Sequence, residues 1–164
     1  MSKKCKQKNY ITALNVFNEA KNFLILSKYA DEKSKEFSSD GLSISFASAR
    51  NVNLAFACEL FIKSLIMIEK DNIVYGHNLY DLFNKNLSQQ LRERIKAEFD
   101  KFSTKENLNT LLIKHNDAFK NWRYFYETDK KYIEFFITDM QVFATILKNI
   151  CSQILNDNII TKKD

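Results

Sequence analysis

The sequence predicts an all-α protein, an up-and-down bundle of about five to six helices around one long central helix at 43–71. Three observations lead there. The chain of 164 residues has no proline and only two glycines, a composition that long helices tolerate and that a fold of many tight turns does not. Apolar residues recur at steps of three and four through most of its length. One run, from Asn53 to Ile66, is apolar nearly all round, the mark of a helix covered by neighbours on several sides.

The first helix is expected over about 9–32, with Tyr10, Leu14, Phe17, Ala20 and Leu24 as its buried stripe, widened by Ile11, Phe23 and Tyr29. A polar stretch follows, and Asp40-Gly41 marks a turn within it. The central helix comes next; at a rise of 1.5 Å per residue it reaches roughly 43 Å. Asn78 is placed to cap a short helix, with Asp81 at its third position, where a negative charge suits the helix dipole. Leu87-Ser88 opens another helix, whose Leu91, Ile95 and Phe99 step by four and whose stripe Phe102 closes. Ser103 and Glu106 have capping-box spacing, so a fresh helix is expected from there, with Leu108, Leu112, His115, Phe119 and Trp122 on one face. Asp129 caps a last helix over about 131–155, which turns Phe136, Met140, Phe143, Leu147, Ile150 and Ile154 inward. The chain reads as a single domain, 1–164, with a basic tail at 1–8 and a short tail at 159–164.

The net charge is +5, and Lys3, Lys4, Lys6, Lys8, Lys162 and Lys163 at the two ends outweigh it. The folded body is therefore close to neutral, and solvated ends explain the basic balance more simply than an RNA-binding arm does. Cys5, Cys58 and Cys151 are too few and too spread for a disulfide framework or a zinc site, so no metal or cofactor is expected. The longest apolar run, 60–68, is interrupted by Lys63 and Ser64 and is too short to span a bilayer. No secretory pattern follows the basic start, and a reducing cytoplasm is the expected location.

Charged and titratable residues inside apolar segments are the candidates for chemistry. Glu59 and Lys63 stand four apart in the central helix, acid first, the favourable order for a pair on one helix face. A charge among Phe56, Leu60, Phe61 and Leu65 needs a partner, so the pair either anchors the loop around His77 or binds a ligand. His77 precedes a helix start, where it can bond the helix end or Asp81. His115 lies on an apolar stripe and reads first as a satisfied core histidine. Arg123 sits among Trp122, Tyr124 and Tyr126, a setting for an ion pair with Glu127 or for stacking on a base and gripping a phosphate.

Three spaced pieces resemble the HEPN superfamily (higher eukaryote and prokaryote nucleotide-binding domains). The first is Ala57-Cys58-Glu59-Leu60-Phe61-Ile62-Lys63, similar to the family's apolar helix carrying Glu and Lys. The second is Gly76-His77-Asn78-Leu79, which looks like its His-x-Leu element. The third, Trp122-Arg123-Tyr124 with its flanks, resembles the Arg-Tyr element before the last helix. The resemblance implies a helical bundle, often homodimeric, that binds RNA or nucleotide or a protein partner such as a nucleotidyltransferase in a toxin–antitoxin or phage-defence type system. Active members are metal-independent endoribonucleases with an Arg followed by His four to six residues on.

This chain departs from that last pattern. No His follows Arg123, and none follows Arg50-Asn51, which opens like the commoner version of the motif. Cleavage by 2′-OH attack needs a group that moves protons near neutral pH and a cation for the phosphate. The expectation is therefore a catalytically degenerate HEPN-like module, with Arg123, Tyr124, Tyr126, Lys63, Glu59 and His77 as its binding residues. The enzymatic alternative pairs Arg123 with a non-sequential histidine, His115 or His77. A structural adaptor is the third reading, and it predicts a wide exposed apolar patch.

Overall fold

A computed structural model describes residues 3–36, 43–124 and 135–160. Seven helices make up the bundle, and no strand occurs among these residues. They are α1 (Lys3–Glu36), α2 (Ser43–Lys70), α3 (Leu79–Asp81), α4 (Gln89–Phe99), α5 (Leu108–Lys114), α6 (Ala118–Arg123) and α7 (Ile137–Ile160). A single π turn, Leu82–Asn86, continues α3.

Helix α1 presents Ala13, Phe17, Ala20, Leu24 and Ala30 to the core at helical spacing. Its contacts with α2 run in opposite chain directions. Ser64 Oγ donates to the Ala13 carbonyl at 2.9 Å, Phe17 packs on Phe61, Phe23 on Phe56, and Arg50 reaches Asp31. The two helices are thus an antiparallel pair. Helix α7 packs on α2 beside α1 and runs parallel to α2, since Met140 meets Cys58 and Cys151 meets Phe61 and Ser64. Helix α4 in turn runs antiparallel to α7, with Arg94 bonded to Gln153 and Phe99 edge-on to Phe143.

The long helix at the centre is covered on these sides, and Leu54, Phe61, Ile62, Leu65 and Ile66 have no solvent exposure. Each such side chain contributes about 1.5 to 3 kcal/mol by leaving water. By length and composition Phe46–Lys70 could cross a membrane, yet 67% of its most apolar window is buried inside the bundle. Burial also pushes the Cys151 thiol up to about 12 and raises that of Cys58 further, so neither is a thiolate near neutral pH.

Several expected boundaries shift for identifiable reasons. The basic stretch expected as a tail is helical from Lys3, so α1 has no free tail at 3–8. Ile11 and Tyr29 do not widen its buried stripe; they are 50% and 57% exposed. Phe102 is also half exposed and does not close the α4 stripe, because α4 ends at Phe99 and the chain turns away. The capping box at Ser103 does not form. The buried Asp139 carboxylate accepts from the Lys105 and Glu106 amides instead, at 3.1 and 2.9 Å, and holds that stretch as a loop. Asn107 then caps α5 through its side chain to the Thr110 amide. The helix expected to run through Trp122 is broken by a turn at His115–Asp117 into α5 and α6. The turn signal Asp40-Gly41 and the cap Asp129 lie outside the described residues.

Candidate functional site

Glu59 is fully buried on α2, and its carboxylate has two donors. Lys63, one turn further, places Nζ 2.8 Å from Oε1. His77 places Nδ1 3.0 Å from Oε1 and 3.2 Å from Oε2. The backbone brings His77 there after two positive-φ residues. Asp71, at φ 54°, ends α2, and Gly76, at φ 103°, turns the chain back over it. An ionised carboxylate only accepts, so His77 carries its hydrogen on Nδ1. Nε2 takes no hydrogen bond among the described residues, and the side chain is 43% exposed.

The short helix α3 fixes the far side of this loop. Its first three amides are all satisfied: Leu79 by the Asn116 carbonyl, Tyr80 by the Asn116 side chain, and Asp81 by the Asn78 side chain. The expected Asn78 cap forms, with Asp81 at the third position. Asn116 sits in the turn between α5 and α6, so that turn and the His77 loop are locked together.

The His77 ring lies 5.4 Å from that of Phe119 on α6. Phe119 stacks on Phe56 of α2 at 4.5 Å, and Phe56 meets Phe23 of α1 edge-on. Residues 119 and 123 share a helix face, and the Arg123 guanidinium stands 5.8 Å from the Phe119 ring and 5.4 Å from the Tyr124 ring. Arg123 and Tyr124 are exposed, and among the described residues no carboxylate pairs with Arg123. His77 and Arg123 therefore meet at the Phe119 ring, and Glu59 with Lys63 joins them through His77, although these residues come from three separate parts of the chain. Compared with known proteins, the chain matches no family model, no curated protein and no solved structure.

His115 stands elsewhere, at 2% exposure. Its Nδ1 faces the Leu111 carbonyl at 3.0 Å and its Nε2 accepts from the Phe136 amide at 3.1 Å. One nitrogen must donate and the other accept, which defines a neutral ring held inside the protein. It packs against Phe135 and Phe136 and fastens the start of α7 to α5. Trp122 contacts Phe135 edge-on and is only partly buried. Arg50 is bound to Asp31 at 2.8 Å, and that hydrogen bond lowers the pKa of the Asp31 carboxyl. Tyr126 and Glu127 lie outside the described residues. No group of three or more His, Cys, Asp and Glu side chains able to hold a metal occurs among those described.

Two members of the site carry no mark of it in the sequence. Phe56 and Phe119 looked like ordinary stripe residues, and only their shared stacking makes them the platform on which His77 and Arg123 rest. No periodicity distinguishes a core aromatic from a platform.

The arrangement has two chemical capacities. An exposed guanidinium beside an exposed tyrosine suits a phosphate with a stacked base. A histidine whose Nδ1–H is held by a buried carboxylate keeps Nε2 as a proton acceptor, and the carboxylate stabilises the imidazolium that follows.

Proposed function

We propose that this chain is a HEPN-like module that binds RNA or nucleotide across Arg123, Tyr124 and His77, in a toxin–antitoxin or phage-defence type system. The supporting observation is that the motif pieces connect: Glu59 of the first holds His77 of the second, and His77 and Arg123 both stand against the Phe119 ring. Arg123 grips the phosphate and Tyr124 stacks on a base. Glu59 and Lys63 work beneath the surface, orienting His77 rather than touching the ligand. The test is fluorescence anisotropy of a labelled single-stranded RNA at low salt, with mononucleotides as competitors. Arg123→Ala is expected to weaken binding about tenfold or more. Absence of any RNA or nucleotide binding by the wild type overturns this reading and leaves a protein partner, such as a nucleotidyltransferase, as the occupant.

A second reading, a metal-independent endoribonuclease, is favoured by the Glu59–His77 hydrogen bond. In it His77 Nε2 takes the proton of the 2′-OH, the 2′-oxygen attacks the phosphorus whose oxygens Arg123 holds, and the 5′-oxygen leaves with a proton, giving a 2′,3′-cyclic phosphate. Cellular RNA incubated with the protein in EDTA decides it. Cutting that is lost in both Arg123→Ala and His77→Ala, and retained when His115 is conservatively replaced, supports catalysis; intact RNA with the wild type rejects it.

Ile25, Leu26 and Tyr29 are 64%, 49% and 57% exposed on α1, an apolar strip that suits a second copy of the chain. Sedimentation of the wild type as a dimer, and of Ile25→Lys as a monomer, is the expected result. A monomeric wild type at high concentration rejects it.

A further inference from the structure

A cleft of about 390 Å³ opens between the π turn Leu82–Asn86, α4 and α5, lined by residues that the nucleotide reading does not use. Its apolar lining includes Phe83, Leu108 and Leu112. Its volume falls in the range of small-molecule sites, and its mixture of apolar wall and a few polar groups is theirs too. The π turn is itself a departure from regular helix of the kind that recurs where a chain builds a site.

Arg92 is the polar residue that stands out. It is partly buried, and Nη1 donates to the Asn84 carbonyl at 2.9 Å. Among the described residues Nε, shielded from solvent, has no acceptor, and the same holds for the side-chain nitrogen of Asn84. Shielded donors without acceptors are costly, and a guanidinium without a counter-ion more so. No carboxylate among the described residues pairs with Arg92. The neighbouring charges are already engaged: Lys96 with Asp100, and Glu93 with Gln89.

These donors have a shape. With Nη1 tied to the backbone, the remaining side-on pair, Nε and Nη2, is the fork that receives the two oxygens of one carboxylate. Asn84, whose carbonyl holds Nη1 and which also lines the cleft, carries a further donor in Nδ2. The charge count limits the ligand. Among the described residues Arg92 is the cleft's one cation without an acidic partner, and Glu93 lines the same space, which suits a single negative charge and disfavours a doubly charged phosphate.

We propose that this cleft binds a small monocarboxylate with an apolar body. Its carboxylate sits on the Arg92 fork and the Asn84 amide, and its apolar part lies over Phe83 and Leu112. To present Nε, which the protein shields, Arg92 swings a short way toward the mouth and gives up its Nη1 bond to the Asn84 carbonyl, a motion its flexible stem allows. This site is independent of the Arg123 cluster and of any nucleotide bound there.

The experiment is a titration of the full chain, followed by amide NMR shifts, with 4-phenylbutyrate, its neutral amide and phenyl phosphate as probes. The expected result is saturable shifts at Asn84, Arg92 and Leu112 with the carboxylate, and binding of the other two probes about tenfold weaker or less. Arg92→Lys keeps the charge and removes the fork, so it is expected to weaken the carboxylate about tenfold while the rest of the spectrum stays put. No saturable shift up to about 10 mM carboxylate overturns the proposal. So does equal affinity for the amide or the phosphate, or an unaffected Arg92→Lys. Should that variant fail to fold, the wild type's choice between carboxylate and amide decides alone.

Discussion

The Glu59 carboxylate oxygen Oε1 receives Lys63 Nζ at 2.8 Å and His77 Nδ1 at 3.0 Å while having no exposure to solvent. A carboxylate in that position is tolerable only because both donors reach it. Replacement by Ala leaves the Lys63 ammonium, itself 13% exposed, facing an apolar helix without its anion. Glu59→Ala is expected to cost about 3 to 5 kcal/mol, seen as a fall in the urea midpoint at unchanged slope. A loss under about 1 kcal/mol would show that the cluster is not what holds the His77 loop.

Asp139 performs a similar service for the loop ahead of α5. It is 2% exposed and accepts from two consecutive amides, those of Lys105 and Glu106. Asp139→Ala strips both of their acceptor, at about 1.5 to 3 kcal/mol for a charged hydrogen-bonding group. The local signature is sharper than the global one: amide exchange at residues 105 and 106 accelerates more than in the body of α4. Unchanged protection at those two amides would contradict this role.

The two acids differ in how far they could be read in advance. Glu59 announced itself, because a carboxylate amid Phe56, Leu60 and Phe61 with Lys63 one turn on needs partners, and an anchor for the His77 loop was the first explanation for it. Asp139 did not, since an acid in the first turn of a helix needs no special partner. Its real work is done across 33 positions of sequence, on Glu106, and only the fold reveals it. The same distinction runs through the helices. The extent of α2 and the Asn78 cap depend on neighbours in sequence and were legible. The break at His115–Asp117 depends on the Asn116 carbonyl and side chain serving α3, a demand from elsewhere in the chain. The site divides likewise: Glu59, Lys63 and His77 follow from charge placed in apolar sequence, whereas the Phe56–Phe119 stack follows from packing alone.

Asp31 ties α1 to α2 through Arg50 at 2.8 Å, with Lys35 at 3.1 Å on its other oxygen. The hydrogen bond from Arg50 is the largest influence on its acidity and lowers its pKa from the ordinary 3.8. A depressed folded-state pKa means that the pair stabilises the fold fully above the ordinary value. That stabilisation is lost as pH falls through the lowered one. Asp31→Asn is therefore expected to cost about 1 kcal/mol near neutrality, and the gap from wild type narrows in acid below 3.8. Urea midpoints of both proteins across that range are the measurement. A gap that persists undiminished in acid would mean that the charge of Asp31 is not the source of its contribution.

Gly76 offers the cleanest separation of backbone from side-chain effects. A Cβ added there meets nothing within 4 Å, so Gly76→Ala introduces no clash. It does place an L side chain at φ 103°, a region that only glycine occupies without strain. The expected cost is about 1 to 3 kcal/mol, all of it conformational. Because the next residue is His77, relief of that strain by a backbone shift moves the ring away from Glu59 and Phe119. Gly76→Ala should therefore both lower the urea midpoint and reproduce, in part, the RNA-binding loss of a His77 variant. A variant of wild-type stability would show that the chain reaches His77 by a path with negative φ. Lowered stability with undiminished binding would separate the turn from the ligand surface, leaving Arg123 and Tyr124 to carry recognition without His77.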